Sequence, residues 1–302
     1  MLQIEKVAVL QDGGRPDAGQ DGAFCGDYMF RFDADGTAWA FDARPLCGAT
    51  AQAPVTLPLL ATFHTDLADA VTPHFNAVAF GSEYYEPEDE FPLLYTNLYN
   101  NYAGEADRRE GVCCVYRLQK IQDSFSMTLV QVIRIGFTKD DFLWCSGGGV
   151  KDVRPYGNFV VDRDQNLLYV YTMRDAAQKA RYFAFGLPLV DDGEDSEEYG
   201  VPVVTLTEET ILDCFDTEYH NYIQGGCCSG GLIWSSEGFD HDPPPVLRVI
   251  DPLARQQVEM ADLAQLGFPR EAEFVDFYGE DCYYSDASGV VYRVLLDMER
   301  EN

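Results

Sequence analysis

The sequence predicts an all-β protein, and three observations predict it. Short runs rich in Val, Tyr, Phe and Ile recur between turn signals, and stretches with helical periodicity are few and brief. Several of these runs form similar hairpins, and further strand pairs follow the hairpins. Repeated units of about four strands in a chain of 302 residues are typical of a β-propeller, whose sheets pack radially.

Three hairpins share one plan. "DYMFRFDADGTAWAFDA" is two alternating strands joined at residues 33–36, and "EDCYYSDASGVVYRVLL" repeats the plan at residues 286–289. "NFVVDRDQNLLYVYTM" repeats it at residues 162–166, and "IQGGCCSGGLIWSSEG" is a looser fourth copy. Asp and Asn suit such turns because they tolerate left-handed backbone and bond their own following amides. The Asp-x-Asp-x-Asn run of the third copy lacks the glycine and closing glutamate of an EF-hand, so it predicts a turn.

Further strands complete each unit. "GVCCVYRLQK" and "SMTLVQVIRIGF" follow "FPLLYTNLY", "RYFAFGLP" and "VPVVTL" follow "LLYVYTM", and "PVLRVIDP" follows "LIWSSEG". Polar-then-apolar starts predict five blades. They lie near Gln20, His74, Gly157, Gln224 and Glu271. The segments between them are roughly 50 to 70 residues, longer than the ~40 to 45 of a WD40 repeat.

The last segment is one strand short, and the amino-terminal "LQIEKVAVL" is predicted to supply that strand and close the ring, which removes exposed edges. Residues 1–302 would then form a single propeller domain. The alternative is six blades, with the additional blade between Pro45 and Pro73. The proline-punctuated "DARPLCGATAQAPVTLPLLATF" is otherwise interpreted as irregular. Two short helices are predicted, "EETILDCF" capped by Thr207 and "MADLAQLGF" ending at Gly267.

Charge and cysteine content limit the partners and the compartment. The 51 acidic and 21 basic residues give a formal net charge of −30, which repels nucleic acids and anionic membranes, so neither is an expected partner. The amino terminus has no signal-peptide pattern, and nowhere do eighteen apolar residues run together. Nine cysteines, an odd number with two adjacent pairs, do not form a disulfide framework pattern. A reducing cytoplasm is the expected location.

The blade starts are unusually polar. Because the innermost strand of each propeller blade lines the axis, these side chains should collect around one opening of the channel. The predicted ligand-binding residues there are Gln20, Asp21, His74, Asn76, Asn158, Gln224, Glu271 and Glu273. Arg154, just before the third start, would add a partner for a carboxylate or phosphate. Such a ring suits a small polar ligand, uncharged or cationic. The alternative is that the same groups satisfy the backbone around a water-filled channel.

Paired carboxylates indicate a second candidate function, that of a glycoside-acting hydrolase or lyase. Asp21, Glu237, Glu271 and Glu273 are the candidates for acid and base. Glu271 and Glu273 are two residues apart on a predicted strand, so they should share a face and one pKa should rise. Glu237 therefore joins the candidate ligand-binding set. No resident cofactor or dedicated metal site is predicted, although carboxylate oxygens at the opening could hold Ca²⁺.

A third function is a protein-interaction scaffold. The insertions "SEYYEPEDEFP" and "NNYAGEADRREG" lengthen the second blade, and "DDGEDSEEYG" lengthens the third. An exposed apolar patch on these loops would favour a scaffold, whereas uniform charge there would argue against it.

Four stretches carry a resemblance to a known family: "QDGAFCGDYMFRFDADGTAWAFD", "HFNAVAFGSEYYEPEDEFPLLYTN", "IQGGCCSGGLIWSSEGF" and "EAEFVDFYGEDCYYSD". They resemble the blade motifs of bacterial five-bladed propellers that include teichoic-acid-biosynthesis-protein-C-like proteins, phage receptor-binding propellers and gut-bacterial relatives. The resemblance implies that the matching positions lie near the central opening, namely Gln20, Asp21, His74, Asn76, Gln224, Gly225, Glu271 and Glu273. It also implies recognition of a cell-wall polymer or another carbohydrate.

Overall fold

The five blades predicted from the sequence are present in the computed structural model of the protein, which is an all-β propeller. The alternative of six blades is wrong. The structure describes residues 2–11, 19–67, 73–98, 111–138, 158–174, 179–218, 222–238, 244–267 and 271–296. No helix within these ranges is long and apolar enough to span a membrane.

Each blade is an antiparallel sheet of four strands, and two blades carry additional strands. From the axis outward, blade 1 contains β2 (Gly19–Cys25), β3 (Tyr28–Asp33), β4 (Thr37–Asp42) and β6 (Leu59–His64). Blade 2 contains β7 (Val78–Phe80), β8 (Leu94–Asn97), β9 (Val112–Ile121), β10 (Ser124–Ile135), β15 (Pro202–Leu206) and β14 (Glu194–Asp195). Blade 3 contains β11 (Phe159–Asp162), β12 (Leu167–Arg174), β13 (Lys179–Gly186) and β16 (Asp213–Glu218).

The last two blades complete the ring. Blade 4 contains β17 (Ile223–Ser229), β18 (Leu232–Glu237), β19 (Val246–Asp251) and β20 (Gln256–Asp262). Blade 5 contains β21 (Ala272–Tyr278), β22 (Asp281–Asp286), β23 (Val290–Leu296), β1 (Leu2–Leu10) and β5 (Val55–Leu57). The innermost strands β2, β7, β11, β17 and β21 follow one another around the axis.

The amino-terminal strand closes the ring as predicted. β1 pairs antiparallel with β23, from Leu2 opposite Leu296 to Val9 opposite Val290. This pairing joins the two ends of the described chain in one blade and covers the edge of β23, which would otherwise expose unpaired backbone groups.

The segment interpreted as irregular is largely regular. It contains a short 3-10 helix (Arg44–Gly48), β5 and β6, the last of which is the fourth strand of blade 1. Pro54 and Pro58 each directly precede one of these strands. A proline at a strand start removes no bond from the sheet ladder, so the prolines mark where the strands begin and do not exclude them.

One strand assignment and both predicted helices are wrong. "VPVVTL" is β15, which leaves blade 3 and pairs in parallel with β10 of blade 2. The fourth strand of blade 3 is β16, whose first three residues belong to the first predicted helix. Of that predicted helix, only Glu208–Thr210 is helical, as a 3-10 turn. The second predicted helix, which begins at Met260, starts inside β20 (Gln256–Asp262) and continues as turns to Gly267, which has the positive φ expected of a cap. Strand pairing with an open sheet edge outweighs the helical propensity of such short segments.

The three predicted Asp turns are confirmed. The Oδ1 atom of Asp33 accepts hydrogen bonds from two backbone amides of its own turn, at 2.9 and 3.0 Å. Asp162 Oδ1 does the same at 3.0 and 3.1 Å, and Asp286 Oδ1 at 3.0 and 3.1 Å. The third copy is therefore a hairpin turn whose aspartate is occupied by backbone donors.

Aromatic side chains between the blades hold the inner strands around the axis. Phe30 of blade 1 lies with its ring centroid 5.6 Å from that of Phe80 in blade 2. The ring of Phe24 in blade 1 lies 5.5 Å from that of Phe274 in blade 5, in an edge-to-face contact between neighbouring blades. Because these rings are buried and interlocked, the starts of the inner strands are fixed relative to one another.

Candidate functional site

The predicted polar residues begin the inner strands, and β-bulges present them in three blades. The register shifts between Gly19 and Gly22 in β2, between Ile223 and Gly225 in β17, and between Ala272 and Phe274 in β21. The residues inside these shifts are Gln20, Asp21, Gln224 and Glu273. A bulge leaves its extra residue outside the ladder and re-aims the side chain. The fold thus places four of the predicted site residues at equivalent irregularities.

A rim of half-buried side chains forms at these strand starts, in two pairs. His74 Nε2 lies 2.9 Å from Gln20 Oε1. Gln224 Nε2 donates to the backbone oxygen of Gly238 at 2.9 Å and to Glu271 Oε1. Burial lowers the pKa of His74, so its imidazole is neutral at pH 7. The rim is therefore built of amide, imidazole and carboxylate groups that already contact one another.

Below the rim, fully buried amides form a ladder between blades 2 and 3. Asn97 Nδ2 donates to Asn76 Oδ1 at 2.5 Å and to Asn158 Oδ1 at 2.9 Å. Asn97 Oδ1 accepts from the backbone amides of Asn76 and Ala77. The sequence analysis missed Asn97, because its only signal is a polar residue that ends an apolar strand. The ladder fixes the orientation of both predicted amides.

Three buried polar atoms of this site have no hydrogen-bond partner among the described residues. They are Asp21 Oδ1, Asn158 Nδ2 and Glu273 Oε2. The other oxygen of Asp21 accepts from the backbone amide of Val78 at 2.8 Å. An unmet buried polar atom costs on the order of 1 to 3 kcal/mol, so such groups in native proteins generally meet a ligand or an ordered water.

A buried arginine stands behind the carboxylates and was not predicted. Arg31 is fully buried, and its three guanidinium nitrogens make no hydrogen bond. Its positive charge interacts more strongly with the Glu273 carboxylate than with that of Asp21. A Cβ atom on Gly19 would lie 2.7 Å from Arg31 Nη2, which explains a glycine at this strand start. The signal in the sequence is a single cation inside the apolar alternation "YMFRFD".

Burial sets the protonation of the two deepest acids. Burial raises the pKa of Glu273 well above its usual range, and the charge of Glu271 raises it further, while Arg31 opposes both effects. Burial likewise raises the pKa of Asp21. The upward shift predicted for one member of the Glu271 and Glu273 pair therefore occurs, but desolvation is a larger cause than repulsion between the two acids.

Two other predicted residues stand apart. Both oxygens of the buried Glu237 accept from Arg248, at 2.5 and 3.0 Å, so this carboxylate is held in an ion pair between β18 and β19. Nothing in the local sequence identified Arg248 as its partner. Arg154 lies outside the described residues.

Metal and thiol chemistry find little support in the described part of the chain. Its His, Cys, Asp and Glu side chains form no group of three or more that could hold a metal ion. Burial raises the pKa of Cys25 to about 11 and that of Cys114 to about 12. Such thiols are protonated at neutral pH and are therefore poor nucleophiles.

The long loop of blade 2 carries exposed aromatic side chains next to acids. Tyr84 is 47% exposed and Tyr85 41% exposed. The Tyr85 ring lies 4.9 Å from the guanidinium of Arg117, which pairs with Asp89 at 2.7 Å. The surface therefore mixes two aromatic rings with several carboxylates and is not a continuous apolar patch of the kind a scaffold would favour.

A cavity lies further along the same inner strands, beyond the unpartnered atoms. It is small, with a free volume of about 20 Å³, which is room for about one water molecule. All five inner strands or the turns that follow them contribute to its lining, which consists of Phe24, Val78, Ala79, Phe80, Val161, Arg163, Cys227, Cys228 and Asp276. No residue of this cavity was predicted as functional. The one signal was a lone acid, Asp276, in the apolar stretch "AEFVDFY".

Comparison with solved structures gives similarities at about one-tenth sequence identity. No protein-family model and no curated protein matches the chain. A glutaminyl cyclase from Myxococcus xanthus is 10% identical with a TM-score of 0.49, and the alignment covers 97% of this chain and 99% of that one. The computationally designed Ika8 protein is 11% identical with a TM-score of 0.37, covering 96% and 99%. BamB from Moraxella catarrhalis is 10% identical with a TM-score of 0.33, covering 93% and 70%. Similarities this weak carry no argument about the function of this chain.

Proposed function

We propose that the protein binds a small polyhydroxylated ligand of the monosaccharide class at the axial opening. One observation carries the proposal: three buried polar atoms at the starts of three different inner strands lack partners, namely Asp21 Oδ1, Asn158 Nδ2 and Glu273 Oε2. One of the three is an amide donor and two are carboxylate oxygens. A ligand that complements all three must both donate and accept hydrogen bonds.

A hydroxyl group meets this requirement. It donates to a carboxylate oxygen and accepts from the amide of Asn158, and it can accept from Asp21 or Glu273 when either is protonated. An ammonium group only donates, so it leaves the amide unpaired. An anion would meet two acids, and among the described residues the cation that acts on both of them is Arg31, itself fully buried.

The rim supports the same class of ligand. The paired side chains of His74 and Gln20, and of Gln224 and Glu271, present neutral and anionic groups that recognise hydroxyls by hydrogen bonding. The resemblance to propellers associated with carbohydrate and cell-wall polymers is consistent with this class. We also propose a reducing, cytoplasmic location, because the eight described cysteines are all unpaired.

Glycoside chemistry is the second candidate, and the acid pair favours it. Glu273 keeps its proton to higher pH than an ordinary glutamate, with Glu271 as a neighbouring acid. A protonated acid beside a second carboxylate is the combination that glycosidases use for leaving-group protonation and for the nucleophile or base. Glu273 would be the acid and Glu271 its partner.

Thermal-shift screening against mono- and oligosaccharides, with and without Ca²⁺, tests the first function. A ligand that binds only the folded state raises the melting temperature, by an amount that grows as its concentration exceeds Kd. We expect a sugar-dependent rise in the parent protein and in the control Gln119→Ala, whose side chain lies on the third strand of blade 2. Gln224→Ala should lose it.

An equal rise in Gln224→Ala would place the sugar elsewhere, and no rise with any sugar would contradict the proposal. A rise that requires Ca²⁺ would assign the carboxylates to a metal. Any sugar that binds is then tested for turnover, and conversion that Glu273→Gln abolishes while binding persists would establish the second candidate.

A further inference from the structure

Arg31 is a buried cation that the fold does not pair. It lies on β3, and none of its three guanidinium nitrogens has a hydrogen-bond partner among the described residues. Glu273 and Asp21 attract its charge without hydrogen bonding to it, and its Cζ atom lies 5.6 Å from the centroid of the Phe274 ring. Burying a cation without hydrogen bonds costs free energy, so stability alone does not explain an arginine at this position.

The side chain of Arg31 runs along the bulge of β2. Gly22 is paired opposite Arg31, and the next paired residue of β2 is Gly19. Between them, Gln20 and Asp21 stand outside the ladder. A Cβ atom on Gly22 would lie 3.0 Å from Arg31 Cδ, and one on Gly19 would lie 2.7 Å from Arg31 Nη2. The arginine therefore spans the bulge from one end to the other.

The bulge carries two side chains of the opening. Gln20 Oε1 lies 2.9 Å from His74 Nε2 at the rim. Asp21 Oδ2 accepts from the backbone amide of Val78 at 2.8 Å, and a Cβ atom on Gly225 would lie 3.0 Å from Asp21 Oδ1. Because the two side chains belong to consecutive residues of one irregular segment, a shift of the bulge would move both of them.

The glycine at the start of the bulge fits the guanidinium. The φ of Gly19 lies outside the left-handed region and the residue belongs to a strand, so backbone conformation does not require a glycine here. A Cβ atom 2.7 Å from Arg31 Nη2 would be well inside van der Waals contact. An alanine would therefore displace either the guanidinium or the bulge, which couples these two residues.

We propose that Arg31 is a positioning residue of the axial opening, which holds the bulge of β2 so that Gln20 and Asp21 keep their binding positions. This inference rests on the proposed function, because it concerns the opening at which the sugar binds. Arg31 acts through the bulge and need not touch the ligand. Binding groups must be held within ~0.5 Å of their productive geometry, and a rigid side chain packed along the bulge supplies that restraint.

Nitrogen-15 NMR of the histidine side chains tests the geometry without any ligand. The chain has four histidines, and the signals lost in His74→Gln identify His74, whose ring contacts Gln20. We expect Arg31→Met to shift these signals, because methionine is too short to fill the space at Gly19. Arg31→Lys keeps the length and should shift them less. Arg248→Met, the same change at the buried arginine of blade 4, should leave them as in the parent.

Isothermal titration with glucose, galactose, mannose and N-acetylglucosamine tests the consequence for binding. For the sugar that binds the parent most tightly, we expect Arg31→Met to weaken binding about tenfold or more. Gly19→Ala should weaken it by a similar factor in the parent. In the Arg31→Met background the same alanine should have less effect, because the atom with which it clashes is gone.

Three results would overturn the proposal: unchanged His74 signals in Arg31→Met, an unchanged sugar affinity in that variant, or an equal effect of Gly19→Ala in both backgrounds. If Arg31→Met does not fold, Gly19→Ala displaces the same guanidinium and replaces it in both measurements, with Arg31→Lys as its comparison. Absence of sugar binding in the parent would contradict the proposed function. The His74 signals would then still decide whether Arg31 holds the bulge.

Discussion

The two ends of the inner strands differ in chemistry although the same five strands build both. At the opening, β-bulges place polar side chains off the ladder, and buried atoms of Asp21 and Glu273 remain without partners. Farther along, the strands pair regularly and their side chains alternate toward neighbouring blades. The residues there are mostly apolar, with two charged residues, Arg163 and Asp276, and Asp276 is bonded to a backbone amide. In blades 1, 4 and 5 a local irregularity in pairing places the polar groups, whereas in blades 2 and 3 Asn76 and Asn158 lie just before the inner strand begins.

A second contrast lies among the acids of the opening itself. Glu237 has both oxygens on Arg248, whereas one oxygen of Glu273 has no hydrogen-bond partner among the described residues. The first acid is held in an ion pair, and under the proposed function the second contacts the ligand. Replacing Arg248, the partner of Glu237, should therefore change stability, whereas replacing Glu273 should change ligand binding.

The largest expected effect comes from Arg248→Met. It removes the cation from the buried ion pair with Glu237, and removing one partner of such a pair typically costs about 3 to 5 kcal/mol of unfolding free energy. Urea denaturation measures the loss. Glu273→Gln is the comparison variant, and we expect it to be as stable as the parent because it removes a buried acid that has no partner on one oxygen. An equal loss of unfolding free energy in both variants would contradict the expected difference between Glu237 and Glu273.

A smaller effect is expected at the cavity from Asp276→Ala. Without the carboxylate, the buried amide of Phe24 loses its acceptor, and an unmet buried donor costs about 1 to 3 kcal/mol. Asp276→Asn keeps an oxygen for that amide and should lose less. Urea denaturation of both variants checks the order, and an alanine variant as stable as the asparagine variant would show that Asp276 does not join the blades.

The smallest expected effect is on the way the stability of the protein depends on pH. Burial raises the pKa of Asp276 to about 6, against the opposing effects of the Phe24 amide and Arg163. The folded protein therefore keeps a proton up to about pH 6 that the unfolded chain releases near pH ~4, so this group's contribution to stability falls as pH rises through that window.

Asp276→Asn removes that dependence. Its melting temperature relative to the parent should rise between pH 4 and 6 and then level off. Asp33, whose pKa burial raises to about 7, titrates in both proteins and cancels in the difference. A difference that stays constant with pH would place the titration of Asp276 outside this window.

Local signals predicted the features that depend on neighbouring residues. The Asp turns at 33, 162 and 286 and the five polar strand starts were all visible, because turn chemistry and alternation are properties of a few consecutive residues. The strands β6 and β16 were missed, since their sequences are short or proline-flanked and they form by pairing with an edge supplied elsewhere.

The sequence by itself determined the all-β class, the five blades, the closure by the first strand and the polar character of the blade starts, because these follow from periodicity and turn residues. Only the tertiary structure decided which acids have partners. Arg248 occupies Glu237, Arg31 lies behind Glu273, and Arg163 is left unpaired beside Asp276. Those outcomes depend on contacts between residues far apart in the chain and on the burial that raises or lowers their pKa, neither of which is encoded in local spacing.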